Sequence, residues 1–216
     1  SHQVDLYDPL TADAWKYGFK MEKIDRSFPD HAYSLRAAAL DCIEYQKHGR
    51  SLDHPAVAQR LAAVNRGGKD LNRQIRGKSL YHLRQDKIVG VVGGDHSVPL
   101  GLMQALAEYH GPYGILHIDA HYDHREAYEG FDFSHASIMR NASRIPEIEK
   151  FVHVGIRDYC KEEADFVAQF PHRFSAFTDD YISNKKFGEI LNSSLSPISW
   201  YQQCQTMLDS LPRNVY

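Results

Sequence analysis

Three side chains that can bind metal ions are spaced two residues apart in one short stretch of the sequence. Asp119, His121 and Asp123 follow the mainly apolar run 115–118, which is typical of a buried strand. Side chains at positions i, i+2 and i+4 of an extended chain point to the same side. The pattern therefore predicts a cation site with two carboxylate ligands and one imidazole ligand.

A second stretch brings another histidine to a comparable position. Residues 88–92 are apolar and predict a strand, Gly93-Gly94 predicts a turn, and His96 follows that turn. Ligands of parallel sheets collect outside the carboxyl ends of the strands, so we expect His96 to lie beside the first three side chains. The alternative is a set of buried polar residues at strand ends. Buried carboxylates need compensating charge, however, and residues 114–123 contain no Lys or Arg.

Mixed imidazole and carboxylate ligation favours Mn²⁺ over metals that prefer thiolates, although Zn²⁺, Fe²⁺, Co²⁺ and Ni²⁺ compete for such donors.

Two nearby histidines are interpreted as residues without a role in metal binding. His117 lies inside the predicted strand and is expected to be a hydrogen-bonded core histidine, and His124 is expected to be a solvated loop residue. Gly93-Gly94 lacks the GxxxxGK[ST] pattern of a phosphate-binding loop and is interpreted as a backbone turn.

Two motifs in this order carry a resemblance to a known family. GGDHS at 93–97 followed by DAHYD at 119–123 resembles the signature of the ureohydrolases, which comprise arginases, agmatinases and formimidoylglutamases and bind a pair of manganese ions. The resemblance continues through 128–140, which is most like agmatinase-type members, and through VGIRD at 154–158. Where the family commonly has Leu-Arg after the second motif, this chain has His124 and Arg125.

The resemblance implies a ligand set and a reaction. It makes His96 a ligand of one Mn²⁺ and His121 a ligand of the other, with Asp119 and Asp123 bridging or completing the pair. Two such ions acidify a shared water, and the resulting hydroxide attacks the carbon of a guanidinium group. Collapse of the tetrahedral centre expels an amine and leaves urea. The expected partner is thus a small guanidino or amidino substrate.

Two further residues have candidate roles. His135 follows the second motif at the interval of the family's histidine, which implies a donor or shuttle of the proton that the leaving amine needs. Its alternative role is a helix-capping histidine after Ser134. Asp95 is expected to orient a metal ligand or to bond loop amides, with a purely structural cap as the alternative.

The substrate is less defined than the reaction. The loop after the second motif does not resemble the arginase loop that holds an α-amino acid, which favours hydrolysis of agmatine to putrescine and urea over arginine or formimidoylglutamate as substrates. Family members carry further ligands in a Ser-x-Asp-x-Asp segment that this sequence lacks. The expectation is a chain truncated before that segment. A non-catalytic ureohydrolase-like protein is the alternative.

The elements that must position these residues alternate along the chain. An irregular arm is predicted over about 1–30, and a single domain over 1–216. Predicted helices cover 34–47, 54–64, 70–84, 98–110, about 136–143, 161–169 and 196–211, and predicted strands cover 88–92, 114–118, 151–155 and 173–176. Gly67-Gly68 is expected to separate the second helix from the third, and Ser97 is expected to cap the fourth. The inner side of the last helix is expected to carry Ile198, Tyr201, Met207 and Leu211. This alternation predicts a three-layer α/β/α fold with a mainly parallel sheet.

Composition excludes several classes of protein. The 216 residues carry 25 Lys and Arg against 28 Asp and Glu, without the basic surplus of a nucleic-acid-binding protein. No apolar stretch approaches the ~18 residues that a membrane span needs. Cys42, Cys160 and Cys204 are widely separated and predict no disulfide framework, so a cytoplasmic location is expected. The family resemblance also implies a homo-oligomer.

Overall fold

The computed structural model describes residues 10–11, 14–23, 27–187 and 198–216. Helices and strands alternate from α3 onward, as the sequence predicts. The α-helices are α1 (Ser27–Lys47), α2 (Pro55–Leu83), α3 (Leu100–His110), α4 (Ile138–Ala142), α5 (Lys161–Gln169), α6 (Asp179–Phe187) and α7 (Trp200–Asp209). The strands are β1 (Tyr113–Ile118), β2 (Ile148–Ile156) and β3 (Phe174–Thr178), and short 3-10 helices cover Ala14–Tyr17 and His135–Ser137.

The three strands form a parallel sheet in the order β1-β2-β3. The other edge of β1 pairs with the last described residues, since the amide of Gly114 donates to Asn214 O at 2.9 Å and the amide of Leu116 donates to Tyr216 O at 2.8 Å. Residues 214–216 therefore run alongside β1 as an extended segment. β1 lies between two extended segments, so its carboxyl end is held from both sides.

Apolar residues cover both faces of this sheet. One face packs against α3, α4 and α5 in a cluster that includes Met103, Ile115 and Phe151, all almost fully buried. The opposite face, which includes Val152, packs against α6 and α7, where Met207 is buried. Successive strand residues thus point to opposite helix layers. The predicted three-layer α/β/α fold with a parallel sheet is confirmed.

The predicted break at Gly67-Gly68 is wrong, because α2 is one continuous helix of 29 residues. Tertiary contacts explain the two glycines. A β-carbon on Gly67 would lie 2.3 Å from Leu35 Cδ1 in α1, and one on Gly68 would lie 3.0 Å from Phe133 Cβ. The glycines therefore permit close approach of two neighbouring segments, and packing outweighs their unfavourable helix propensity of about 1 kcal/mol each.

The predicted strand at 88–92 is also wrong. Val89 packs against the helices, whereas Ile88 and Val92 are almost fully exposed. This alternation of packed and exposed side chains is typical of an extended chain. No ladder hydrogen bond joins 88–92 to another segment within the part of the chain that the structure describes. An apolar extended segment becomes a strand only when its backbone groups pair with a neighbour.

Smaller differences concern the ends of the chain and the helix boundaries. Helix α1 begins at Ser27, so the irregular arm ends before its predicted limit, and its first nine residues lie outside the described ranges. Helix α6 was not predicted. Ser196 lies outside the described residues, and Tyr201 of α7 is largely exposed, contrary to its predicted inner position.

No helix among the described residues has the length and apolarity that crossing a membrane requires.

Two glycine substitutions test the packing of α2 against α3. A β-carbon on Gly101 would lie 2.5 Å from Asn72 O and 2.7 Å from Ile75 Cβ, so Gly101→Ala is expected to lower the free energy of unfolding by about 1–3 kcal/mol. Gly77 is exposed in α2 with open space around its Cβ position, so Gly77→Ala is expected to raise that free energy by about 0.5–1 kcal/mol. Urea denaturation measures both changes. Equal stability of the two variants would contradict the close contact.

Candidate metal centre

Four side chains place potential ligand atoms together at the carboxyl end of β1. The cation group, as we call it, consists of His96, His117, Asp119 and Asp123, and one ligand atom from each lies within 4.8 Å of the others. His96 Nδ1 lies 2.7 Å from Asp123 Oδ2 and 3.4 Å from Asp119 Oδ2. His117 Nε2 lies 3.6 Å from the same oxygen of Asp119. The structure therefore brings together three of the predicted ligands and adds His117.

The loop before α3 positions His96. Asp95 accepts hydrogen bonds from the amide of Ser97 at 2.8 Å and from its hydroxyl, which closes the turn around His96. The His96 ring also stacks on the His117 ring, with centroids 5.2 Å apart and planes at 26°. Asp95 bonds a loop amide, which is one of its two expected roles. The predicted cap by Ser97 is wrong, because Pro99 is the capping residue of α3.

Asp123 is held by its backbone as well as by its side chain. Its φ of 55° lies in the left-handed region, which few residues other than Gly, Asn and Asp adopt readily. Its carbonyl accepts hydrogen bonds from the amides of Met139 and Arg140 at 3.0 and 3.1 Å, at the start of α4. This backbone geometry buries the side chain and directs its carboxylate at His96.

The two oxygens of Asp119 face different groups. Oδ2 faces His96 and His117, whereas Oδ1 accepts a hydrogen bond from the amide of His121 at 2.9 Å and lies 3.2 Å from its Nδ1. The other ring nitrogen of His121 lies 3.7 Å from Asp158 Oδ2. His121, which is more than half exposed, thus belongs to a second set of donor atoms on the far side of Asp119.

Mutual attraction shifts the protonation equilibria in this group. The hydrogen bond with Asp123 raises the pKa of His96 against the opposing effect of burial, and the charges of Asp119 and Asp95 raise it further. The facing His117 ring and the amide of His121 hold the pKa of Asp119 well below its usual range, despite partial burial. The carboxylate of Asp119 is therefore ionised at neutral pH and available to a cation.

A chain of buried imidazoles continues behind the cation group. His117 Nδ1 lies 2.8 Å from His153 Nδ1, and His153 Nε2 lies 3.2 Å from His124 Nε2. His124 and His153 are at most 2% exposed, so the prediction of a solvated His124 is wrong. Burial lowers the pKa of His124 to about 3, and burial also lowers the pKa of His153 well below its usual value.

The sequence contains a signal for this pairing of histidines. His117 and His153 are each the third residue of a four-residue, otherwise apolar run, ILHI and FVHV, and they are register partners in β1 and β2. His124 belongs to the buried set because Glu163 accepts its amide hydrogen at 2.9 Å and the rings of Phe166 and Phe174 surround its imidazole.

His135, the candidate proton donor, lies apart from the cation group. It is exposed at the start of the 3-10 helix, and its ring packs edge-on against Tyr128 with centroids 5.5 Å apart. No hydrogen bond or ring contact links it to the cation group within the described residues. Its catalytic role stays a prediction.

A cavity of about 290 Å³ adjoins the cation group. His96 and His117 form its polar wall, and the remaining lining is mainly apolar, from Pro99, Met103, Ile115, Leu116, Ile118, Met139 and Tyr216. An apolar cavity beside polar groups is typical of a small-molecule site. Its volume suits a ligand at the small end of the usual range.

Comparisons with known proteins identify relatives of part of the chain. The chain is 33% identical over 162 residues to an uncharacterised 32.2 kDa protein of Methanothermus fervidus, a match that covers 73% of this chain and 54% of that protein. It is 42% identical over 89 residues to N(1)-aminopropylagmatine ureohydrolase of Thermus thermophilus, covering 41% of this chain and 30% of the enzyme. The chain thus matches about half or less of the length of these relatives.

A solved structure with a similar fold is the agmatine ureohydrolase of Thermoplasma volcanium. The TM-score is 0.53 at 20% identity, and the alignment covers 69% of this chain and 44% of that one. The model of the arginase family matches residues 31–206, which include the whole cation group. The chain therefore belongs to the arginase family.

Proposed function

We propose that this protein is a metal-dependent ureohydrolase that cleaves the guanidino C–N bond of a small substrate, with agmatine as the first candidate. The observation that carries the proposal is the position of Asp119 between two sets of donor atoms. One set comprises His96, His117 and Asp123 and the other His121 and Asp158. A carboxylate in that position is suited to bridge two cations.

The donor atoms fit a divalent cation. His117 Nε2 is buried and has no hydrogen-bond partner within the described residues, so an electron pair is left unsatisfied if that nitrogen carries no hydrogen. Two carboxylates face the same space, which needs positive charge. Imidazole nitrogens together with carboxylate oxygens suit Mn²⁺, and no thiol lies in the cation group.

A bound pair of Mn²⁺ ions would supply a nucleophile by lowering the pKa of a water molecule toward neutrality. The residues of this chain have three tasks. His96, Asp119, His121 and Asp123 would hold the cations, as the ligand prediction states. The apolar part of the cavity lining, including Met103 and Met139, would contact the apolar part of the substrate. His135 transfers a proton from its imidazole to the amine that leaves.

Two lines of support favour agmatine over an amino-acid substrate. Residues 128–140 are most like agmatinase-type members, and the relative in Thermus thermophilus is named for an agmatine derivative. Agmatine also lacks the α-carboxylate of arginine. Its methylene chain suits the apolar part of the cavity lining, and of the two charged groups at the far end of arginine it has only the ammonium, so its binding requires one fewer compensating charge.

Urea release tests the proposal directly. The protein incubated with Mn²⁺ is expected to release urea from agmatine faster than from arginine, and formimidoylglutamate is assayed in parallel for formamide. Asp119→Asn is expected to lower kcat/KM by at least about 1000-fold, because an amide replaces the charge that both donor sets share. Bound metal without turnover of any of the three substrates would instead support the non-catalytic alternative.

Removal of one imidazole tests the cation group independently of turnover. His96→Ala is expected to weaken Mn²⁺ binding by at least about 100-fold, because it removes a donor and leaves Asp123 without its partner. Equilibrium dialysis with metal analysis gives the affinity, and circular dichroism verifies the fold. His110→Ala, at the exposed end of α3, is the control and should bind as the wild type does. Equal affinity of the two variants would exclude His96 as a ligand.

Metal affinity should also depend on pH in a defined direction. The pKa of His96 is raised, so a cation must displace a proton from its imidazole up to a higher pH than at an ordinary histidine. Affinity for Mn²⁺ is therefore expected to rise with pH, by up to about tenfold per unit below that pKa, and to level off above it. Calorimetric titration in buffers of different ionisation enthalpy measures the proton released. An affinity that falls with rising pH would contradict this coupling.

A further inference from the structure

Helix α2 packs against the loop 124–134, which follows the cation group along the chain. A β-carbon on Gly68 of α2 would lie 3.0 Å from Phe133 Cβ, as noted above. A β-carbon on Gly130 of the loop would lie 3.0 Å from Leu61 Cδ2 of the same helix. Because glycine occupies both points, the loop and the helix approach each other closely.

Asn65 lies between these two contacts on the same face of α2, four residues after Leu61 and three before Gly68. Its side-chain nitrogen donates to Gly130 O at 3.1 Å, and its side-chain oxygen accepts from the amide of Asp132 at 3.0 Å. The main chain of the loop therefore uses both polar atoms of this side chain. Asparagine has a low helix propensity, and these two bonds give a physical reason for its place inside a helix of 29 residues.

The bonds from Asn65 hold a tight turn in the loop. Tyr128 and Phe131 exchange two main-chain hydrogen bonds of 3.2 and 2.8 Å around Glu129 and Gly130. These two central residues have φ values of 53° and 82°, and positive φ at both central positions is typical of a type I′ turn. A residue other than glycine is strained in this conformation, so contacts from outside the turn must maintain it at Glu129.

The turn determines the position of Tyr128, and Tyr128 contacts the candidate proton donor. Its ring packs edge-on against the ring of His135, with centroids 5.5 Å apart and planes at 71°. The guanidinium carbon of Arg125 lies 5.4 Å from the centre of the same tyrosine ring. His135 makes no other ring contact in the part of the chain that the structure describes. The contact with Tyr128 therefore restricts the exposed imidazole of His135.

We propose that Asn65 is a positioning residue for His135, acting through the turn at 129–130 and the ring of Tyr128. This inference rests on the proposed function, in which His135 gives a proton to the leaving amine. A proton donor raises the rate only when its nitrogen lies within hydrogen-bond reach of the atom that receives the proton. Asn65 thus affects turnover without taking part in the binding of cations.

Proton NMR tests the positioning without any turnover. The ring current of Tyr128 shifts the imidazole proton resonances of His135, which are assigned by their loss in His135→Ala. Asn65→Leu removes both hydrogen bonds but has a higher helix propensity, so we expect α2 to persist and the resonances to move to their positions in Tyr128→Leu. Asn65→Asp retains the acceptor for the Asp132 amide and should shift them less. Wild-type resonances in both variants would overturn the inference.

The kinetics of urea release from agmatine test the consequence for catalysis. Asn65→Leu is expected to lower kcat by about 10–100-fold because the proton donor is misplaced, and to leave Mn²⁺ affinity within about threefold of the wild type. In a His135→Ala background, the same substitution should change kcat by less than about threefold, because its effect passes through His135. Gln74→Leu, at an exposed position of α2, is the matched control and should retain wild-type activity.

The outcomes separate the positioning role from a structural role and from the proposed function. Equal losses of kcat in the two backgrounds would show that Asn65 does not act through His135 and would overturn the inference. Absence of urea release by the wild type would overturn the proposed function. The resonances of His135 would then still decide whether Asn65 positions its ring.

Discussion

Repulsion between two neighbouring carboxylates is the constraint on which the candidate site depends. Asp119 and Asp123 both direct an oxygen at His96 Nδ1, and the ligand atoms of the group lie within 4.8 Å of one another. Two like charges at such a separation repel by about 3–4 kcal/mol at an effective dielectric constant of 20. Either a protonated His96 or a bound cation must offset this repulsion. The protein thus maintains a local excess of negative charge that a divalent cation matches.

The sheet makes this arrangement possible because it holds β1 on both edges. β2 pairs with one edge, and residues 214–216 pair with the other. His117 therefore has a fixed direction inside the core, and the chain leaves the strand at Asp119 with little freedom. Beyond the strand, the carbonyl of Ala120 accepts hydrogen bonds from the amides of Arg157 and Asp158, and the amide of His124 donates to buried Glu163 at the start of α5. The segment that carries the ligands is consequently held at both of its ends.

Sequence periodicity predicts the parts of this structure that depend on neighbouring residues. The strand that ends at Ile118, the helix Lys161–Gln169 and the convergence of His96 with Asp119 and Asp123 all follow from apolar runs and motif spacing. The features that were predicted wrongly depend on distant contacts.

Two examples show why those contacts are not visible in the sequence. Gly67-Gly68 continues a helix because Leu35 and Phe133 occupy the space beside it, and neither neighbour can be inferred from local pattern. The burial of His124 likewise depends on Glu163 and on aromatic residues from β2, β3 and α5. His117 was interpreted as a core residue, which is correct for its burial but does not predict that its Nε2 faces Asp119.

The left-handed backbone at Asp123 has a consequence for how mutational data on this site are interpreted. Aspartate, asparagine and glycine tolerate such a conformation, whereas alanine and β-branched residues are strained in it. Alanine scanning would therefore combine a folding defect with the loss of the carboxylate, and the two effects could not be separated. Asparagine tolerates the left-handed backbone conformation, so the main-chain carbonyl at position 123 stays where it accepts the amides of α4. At Asp123, the choice of replacement residue therefore decides whether an experiment reports on chemistry or on folding.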